Sequence, residues 1–253
     1  QVFDLAMARC EVDSIALGAC NCDYETEVIG GNTFDYPYVH GRSIARAGYS
    51  FCSASVRAVE DRGVSLEEYS AVDLILGKQR SVTIGRGVAG YAFKTFSPEL
   101  QDVLRRYMAG DGALFVSGSY VATDLWTGGE ATGEDRAFAE EVLHYTYDGD
   151  QAADRNRVRV VTSHPGFSRD EYRYVNEYRP DRYRVESPDA LRPAGAGAFS
   201  VMRYVENGRT AGVASEAGGT FVMGFPFESI ESDVQRDRLM RDVLDFLLKQ
   251  KDR

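Results

Sequence analysis

The sequence has no long apolar run, no excess of basic residues and few histidines. No run of eighteen apolar residues occurs in the chain, so we expect no transmembrane helix. The formal net charge is −10, which makes nucleic acid and anionic membranes poor partners for this protein. Only three histidines are present, so few side chains are available as a general base near neutral pH.

Cysteine is scarce and confined to the first quarter of the chain. The four cysteines are Cys10, Cys20, Cys22 and Cys52. This clustering predicts one or two disulfides that tie down the N-terminal segment of an exported protein, while Cys52 also fits a buried strand. The Cys20-x-Cys22 spacing is too tight for a zinc knuckle and no second pair stands nearby. We therefore expect no metal site.

The length of 253 residues suits one large α/β domain or two small ones. Neither an internal repeat nor a linker composition divides the chain. We expect a lead-in over residues 1–25, packed on a single domain over residues 26–253. The chain opens at Gln1 without a signal peptide, which suggests a mature or trimmed piece of a longer protein.

The most informative stretch runs from Ser97 to Leu125. Ser97 is a predicted N-cap and Pro98 suits the first helical position. One apolar stripe at helical spacing follows: Leu100, Val103, Leu104, Tyr107 and Met108. Ala113–Val116 is then typical of a buried strand, and Ser117-Gly118-Ser119 follows at its end. Ligands collect at the carboxyl ends of strands in open α/β sheets, so this stretch predicts the position of a site.

The rest of the chain alternates strand and helix patterns. The predicted strands are Glu27–Gly31, Tyr49–Ser55, Ala71–Leu76, Arg157–Ser163 and Thr220–Phe225, with a hairpin of Ala198–Val205 and Arg209–Ser215 turned at Asn207-Gly208. The predicted helices are Gly41–Ala47, Val56–Tyr69 (interrupted at Gly63), Gly133–Tyr145 and a C-terminal helix opened by a capping box of Ser232 and Gln235. This order predicts an α/β fold with a mostly parallel sheet and antiparallel additions at its edge.

A glycine-rich loop, SVTIGRGVAG over residues 81–90, precedes the helix at Ser97. It lacks the GK[ST] ending of a phosphate-binding loop, and its glycines are not spaced as in a dinucleotide fingerprint. We interpret it as a flexible rim of the site, and we expect no cofactor.

The order of these parts resembles the class I glutamine amidotransferase-like fold, a flavodoxin-like three-layer sandwich. In that family a strand like AVDLIL ends in a glycine loop, a later strand carries the nucleophile elbow, and a late strand carries a His-Pro-Glu triplet. Here SGSYV stands at the elbow and FVMGFPFES resembles the late strand.

A closer resemblance is to domains of secreted bacterial proteins named as xanthan lyases. It is carried by GNTFDYPYVHG, VDLILGKQ, LFVSGSY, VMRYVENG and MGFPFE, and it covers nearly the whole chain after about Thr26. The resemblance implies an exported protein, accompanied by other modules of the same polypeptide, with a polysaccharide or cell-wall glycan as its partner.

The resemblance implies a damaged catalytic site. The elbow pattern places the nucleophile at Ser119, and Ser117 fits less well because Phe115 would crowd the turn. A glutaminase carries cysteine at this position, and serine is a weak nucleophile without a base. The triplet reads Pro226-Phe227-Glu228 after Phe225, so the histidine is missing while the carboxylate of Glu228 remains.

Another histidine could replace the missing base. His164, after the strand Arg157–Ser163, is the best candidate because that strand is expected to end at the same sheet edge. His40, in the first loop beside Asn32 and Asp35, is the second candidate. The alternative for both is a structural hydrogen bond, and His144 is predicted to be helix packing.

Polar residues at strand ends supply candidate ligand contacts. Lys78, Gln79 and Arg80 end the strand Ala71–Leu76 and present cationic and amide donors to an anionic ligand, or form a solvated loop. Asp124, just beyond the elbow, orients a base or caps a short helix.

The segment SRDEYRYVNEYRPDRYR, residues 168–184, alternates tyrosine with arginine and suggests binding of an acidic glycan. The stacking faces would come from Tyr172, Tyr174, Tyr178 and Tyr183. The arginines that would contact uronate or pyruvate groups are Arg169, Arg173, Arg179, Arg182 and Arg184. A hairpin or surface loop without a ligand has the same composition.

The sequence therefore favours a catalytically degenerate domain that binds a ligand or supports its neighbours. The alternative is a polysaccharide lyase or hydrolase that uses Ser119 or a tyrosine, with His164 or His40 as base. A glutaminase is the third hypothesis, disfavoured by the absence of cysteine at the elbow.

Overall fold

The computed structural model describes residues 36–84, 91–128, 131–177, 179 and 182–249. Its helices are α1 (Tyr36–Arg46), α2 (Val56–Glu60), α3 (Pro98–Ala109), α4 (Thr123–Trp126), α5 (Gly133–Glu141) and α6 (Asp233–Lys249), with 3-10 turns at Leu66–Glu68 and Phe227–Ser229. Its strands are β1 (Val72–Gly77), β2 (Val82–Ile84), β3 (Tyr91–Phe93), β4 (Leu114–Gly118), β5 (Tyr145–Gly149), β6 (Arg157–Val160), β7 (Glu171–Arg173), β8 (Ala190–Pro193), β9 (Ala198–Tyr204), β10 (Thr210–Ser215) and β11 (Thr220–Met223). The predicted lead-in and the predicted strand Glu27–Gly31 lie outside the described residues.

The main sheet is mixed, and the protein is of the α/β class. Its strand order is β1-β4-β11-β10-β9-β6-β7, while β8 pairs with both β10 and β5. Among the described strands of this sheet, only β4 makes parallel pairs, with β1 and with β11; the remaining pairings are antiparallel. The expectation of a mostly parallel sheet is therefore wrong. Short turns join β9 to β10 and β10 to β11, and a parallel pair needs a crossover of a dozen or more residues.

Helices lie on both faces of the sheet around β1, β4 and β11. Phe115 and Phe221 belong to an apolar cluster shared with α6, whereas Leu114, Val116 and Val222 pack in a second cluster with α3 and α5. This alternation along the strands is the two-residue period of a sheet that is buried on both faces. None of the described helices has the length and apolar character needed to cross a membrane.

The stretch that begins at Ser97 folds as predicted. The Ser97 hydroxyl accepts a hydrogen bond from Leu100 N at 3.0 Å, and Pro98 opens α3. The apolar stripe faces inward, with Leu100, Val103, Leu104 and Tyr107 buried. β4 follows, fully buried over its five residues.

The hairpin at Asn207-Gly208 and the C-terminal helix are also confirmed. Gly208 has φ 75°, a left-handed conformation that glycine adopts without steric penalty. At the start of α6, Gln235 N donates to the Ser232 hydroxyl at 3.4 Å. The Gln235 side chain donates to the Glu171 carbonyl at 2.7 Å, so the predicted capping box forms only in half.

Two local expectations are wrong. Tyr49–Ser55 is not a strand: the segment is irregular and mostly exposed, so Cys52 is an exposed free thiol and not a buried strand residue. The predicted helix Gly133–Tyr145 ends at Glu141, because His144 has φ 60° and Tyr145 begins β5. Sequence alone also missed β8, which pairs with β5.

Candidate functional site

The site is built where β1 and β4 end side by side. Ser119 N donates to the Gly77 carbonyl at 2.8 Å, and the β1–β4 register shifts between Ile75 and Gly77. Gly77 has φ 54°, which favours glycine. A Cβ on Gly77 would lie 3.3 Å from Glu228 Oε1 and 3.4 Å from Tyr36 Cε2, so glycine also permits their close approach.

Four side chains form a continuous chain of hydrogen bonds, here called the His40 network: Asp73, His40, Glu228 and Tyr183. His40 Nδ1 lies 2.7 Å from Asp73 Oδ2, and His40 Nε2 lies 3.2 Å from Glu228 Oε2. The Tyr183 hydroxyl donates to Glu228 Oε1 at 2.6 Å. These residues come from α1, β1, the 3-10 turn after β11 and the segment before β8, so the network ties four parts of the chain together.

The charge on His40 is decided by competing effects. Burial lowers the pKa of the imidazole, whose side chain is 1% exposed, but Asp73 and Glu228 outweigh burial and raise that pKa to about 9. At neutral pH His40 is therefore an imidazolium that donates from both ring nitrogens. Such a ring has no lone pair with which to accept a proton, so His40 in this arrangement is not a general base.

The Tyr183 hydroxyl of the His40 network keeps its proton, and phenylalanine rings cover the imidazolium. Burial, and next the charge of Glu228, raise the pKa of Tyr183 well above its usual value, so its hydroxyl remains a donor. Phe227 packs against the His40 ring at 4.7 Å between centroids, and Phe115 lies at 6.4 Å. Phe227, next to Glu228, thus forms part of the apolar wall that excludes water from the imidazolium.

Ser119 and Ser117 lie at the predicted strand end, and none of the described residues activates either hydroxyl. Their side chains are buried, and neither hydroxyl has a hydrogen-bond partner within the described part of the chain. A nucleophile elbow exposes its hydroxyl on a strained turn. The described non-glycine residues with positive φ are Arg62, Asp111, His144 and Gln151, so Ser119 lacks the backbone strain of such an elbow.

His164 lies at the other end of the parallel strands, so its expected position beside Ser119 is wrong. His164 Nε2 contacts Glu216 Oε1 at 2.6 Å, in the turn that precedes β11. Gly219 of the same turn accepts a hydrogen bond from Leu114 N, where β4 begins. Because β6 runs antiparallel to β9 and is separated from β4 by three strands, its end does not reach the edge that carries Ser119.

Charged and aromatic residues form a partly exposed rim beside the His40 network. Lys78 pairs with Glu186 at 2.8 Å and lies 5.8 Å from the centre of the Tyr183 ring. Arg80 lies 5.6 Å from the centre of the Tyr120 ring. Burial, and next the charge of Glu186, raise the pKa of Tyr120 to about 12. Protonated tyrosine is a donor and a stacking face, which suits binding better than proton abstraction.

The loop that carries this rim is anchored by Asp124. The Asp124 carboxylate accepts hydrogen bonds from Ser81 N at 2.5 Å and from the Ser81 hydroxyl at 2.7 Å. Asp124 therefore fixes the loop after β1 instead of capping α4 or orienting a base. Gln79 N donates to the Leu76 carbonyl, which turns the chain at the end of β1.

The three described tyrosines of residues 168–184 do not form a stacking surface. Tyr172, Tyr174 and Tyr183 are 0%, 1% and 5% exposed, so the expectation that they stack on sugar rings is wrong. Tyr178 lies outside the described residues. The alternation of tyrosine and arginine reflects β7 and its flanks, with tyrosine facing the core and arginine facing solvent.

The structure brings together Lys78, Ser117, Ser119, His40 and Glu228 near one edge, whereas Asn32 and Asp35 lie outside the described residues. Sequence reasoning missed Asp73, and it assigned Tyr183 to sugar stacking and not to this network. A signal for Asp73 was present, because a carboxylate in the otherwise apolar AVDLIL strand requires a partner.

In the described parts of the chain, no three His, Cys, Asp or Glu side chains are arranged to hold a metal ion.

No protein-family model and no curated protein matches the sequence. Among solved structures, a protein from Thermoplasma acidophilum named as a candidate subunit of GMP synthase matches with a TM-score of 0.45 and 11% identity. The match covers 88% of this chain and 92% of that one.

Proposed function

We propose that this chain is a catalytically degenerate, amidotransferase-like domain that binds an acidic ligand or supports neighbouring modules of an exported protein. The amidotransferase-like assignment, the exported location and the glycan class of ligand rest on the motif resemblance of the sequence. The degenerate character is supported by the residues at the strand end.

The state of His40 is the observation that carries the proposal. A serine nucleophile needs a neutral imidazole, or another base, within hydrogen-bond reach. His40 is an imidazolium engaged by Asp73 and Glu228, and the Ser119 hydroxyl has no hydrogen-bond partner in the described residues. Within the described part of the chain, serine attack on a carbonyl or glycosidic centre therefore has no proton acceptor.

The alternative, a polysaccharide lyase, would need a tyrosine or histidine base at the C5 proton of a uronate. Tyr172, Tyr174 and Tyr183 are buried. Burial, and to a smaller extent the charge of Glu186, raise the pKa of Tyr120 to about 12. These properties favour binding over proton abstraction at the rim of Lys78, Arg80 and Tyr120.

A fluorophosphonate probe followed by intact-mass measurement tests the proposal. We expect no adduct on the wild-type protein, with a known serine hydrolase labelled in parallel. An adduct on the wild type that disappears in Ser119→Ala, but persists in Ser200→Ala, would overturn the degenerate assignment and restore the hydrolase. Ser200 is a suitable control because its hydroxyl is already bonded to Thr210.

A second measurement addresses the lyase alternative. Incubation with an acidic polysaccharide should give no ultraviolet absorbance from unsaturated uronate. An absorbance rise that is abolished in Tyr120→Phe would contradict the proposal and assign a base-driven elimination to the rim.

A further inference from the structure

Residues 183–189, here called the strap, run from the end of β1 to the chain that follows β4. At one end Tyr183 lies against Gly77, since its hydroxyl would be 3.7 Å from a Cβ there. At the other end Asp189 Oδ2 accepts hydrogen bonds from the two backbone N–H groups at the start of α4, both at 2.7 Å. The strap therefore lies across the strand ends on which the candidate site is built.

The C-terminal end of the strap is firmly anchored. The Asp189 side chain is buried, and its backbone N donates to the Gly224 carbonyl at 2.7 Å. The Pro188 carbonyl accepts a hydrogen bond from Ala152 N at 2.8 Å. Opening of the strap would therefore involve the residues before Pro188 and leave Asp189 in place.

The middle of the strap is held at the end of β1 by an ion pair. Glu186 Oε1 lies 2.8 Å from Lys78 Nζ, and the two side chains are 34% and 13% exposed. Lys78 Nζ also lies 5.8 Å from the centre of the Tyr183 ring. A partly exposed ion pair contributes little to stability, so another carboxylate can displace Glu186 from Lys78.

Glu186 offers Lys78 the same chemical group as an acidic ligand would. The Lys78 ammonium belongs to the rim proposed above as the binding surface for such a ligand. Because the Lys78 side chain is mostly buried between Glu186 and the Tyr183 ring, a ligand carboxylate gains close contact with it when Glu186 moves away. A ligand that binds one of two states has its apparent affinity reduced by the fraction of protein in the other state.

We propose that the strap is autoinhibitory: Glu186 occupies Lys78 in place of an acidic ligand, and a ligand carboxylate that takes Lys78 releases the middle of the strap from the strand ends. This inference rests on the proposed function and describes the regulation of the same site. The anchor at Asp189 keeps the strap attached to the start of α4 while its middle opens.

Tryptic cleavage after Arg184 tests the strap without any ligand. Arg184 is exposed in the middle of the strap, so its cleavage reports the population of the open form. Lys78→Gln leaves the sequence of the strap unchanged and should raise the cleavage rate about fivefold, the effect of losing one partly exposed ion pair. Lys94→Gln is the matched control, because Lys94 pairs with Asp135 at the same distance of 2.8 Å. Equal rates in the two variants, or a rise in Lys78→Gln that extends to all tryptic sites, would overturn the inference.

Isothermal titration at low salt with an oligogalacturonate tests the competition. Glu186→Gln should bind it about fivefold more tightly than the wild type, because the internal carboxylate is removed while Lys78 remains. Misfolding cannot produce such a gain. Glu171→Gln is the matched control: it changes the net charge equally, and Glu171 is a 37% exposed partner of Arg157 at the opposite end of the sheet.

The titration distinguishes failure of the inference from failure of the proposed function. If the oligogalacturonate binds but Glu186→Gln and Glu171→Gln have equal affinity, the competition is overturned and the acidic ligand of the proposed function stands. If neither the wild type nor Glu186→Gln binds it, the acidic ligand is overturned together with the competition. A fluorophosphonate adduct on Ser119 bears on the degenerate assignment alone, since Lys78 and Glu186 take no part in that reaction.

Discussion

His40 illustrates how the partners of a single side chain decide its chemistry. The sequence made it a candidate base because it lies in a loop-like GNTFDYPYVHG motif. In the structure it lies on α1 between Asp73 and Glu228, and these carboxylates turn it into a buried imidazolium. His40 therefore links α1 to the sheet through its contacts with Asp73 and Glu228. The same contacts make it unsuitable as a base.

The His40 network predicts a pH dependence of stability. The folded-state pKa of His40, about 9, exceeds the unfolded value of 6.5, so folding takes up a proton. The stabilisation is fully present below pH 6.5 and is lost as the pH rises through 9. We expect the free energy of unfolding to fall by up to about 3 kcal/mol across this range.

Urea unfolding of the wild type and His40→Gln at pH 6 to 9.5 (about the range of this titration) measures this effect. The variant should be less stable than the wild type at pH 6, and the difference should shrink toward the alkaline end. A difference that stays constant with pH would contradict the assignment of an imidazolium to His40.

At the scale of secondary structure, the end of β1 shows why the candidate site needs glycine. Gly77 combines a positive φ with close contact to Glu228 and Tyr36. Asp124 then fixes the following loop through Ser81, so the path of the chain from β1 to the rim is held at two points.

Gly77→Ala should destabilise the protein by about 1–2 kcal/mol, since alanine is strained at this φ and its Cβ would crowd Glu228 Oε1. Gly133→Ala is the matched control, because no atom lies within 4 Å of a Cβ there and the residue opens α5. The control should be neutral or slightly stabilising. Thermal unfolding of both variants measures the contrast, and equal shifts would show that the φ of Gly77 carries no strain.

Local patterns predicted α3, β4, the β9–β10 hairpin and α6, because each has its capping residue, turn or apolar period within a short stretch. They failed for Tyr49–Ser55, where the apolar and small residues resemble a strand but find no neighbouring strand among the described residues. They also failed for β5 and β8, which pair with each other although β6 and β7 lie between them in the sequence.

At the scale of the whole molecule, two apolar clusters share the strands β4 and β11. Phe221 lies in the cluster with α6, and Leu104 of α3 lies in the other. Because alternate residues of the same strands belong to the two clusters, loss of one should weaken the other.

We therefore expect Phe221→Ala and Leu104→Ala to lower the midpoint of one common unfolding transition. Each should cost about 3–5 kcal/mol, as for large core truncations. Calorimetry combined with near- and far-ultraviolet circular dichroism measures whether the probes coincide. Two separate transitions, each shifted by one variant, would contradict the single domain expected over residues 26–253.

By itself the sequence determined the α/β class, the strongest helices and strands, and the strand end where Ser117, Ser119 and Lys78 lie. These features depend on periodicity and capping over short distances. Only the tertiary structure decided the mixed pairing of the sheet and the contacts of His40 with residues 33 and 188 positions away. Such contacts depend on how helices and strands dock, and burial then sets the charge and the chemistry of the side chains that meet.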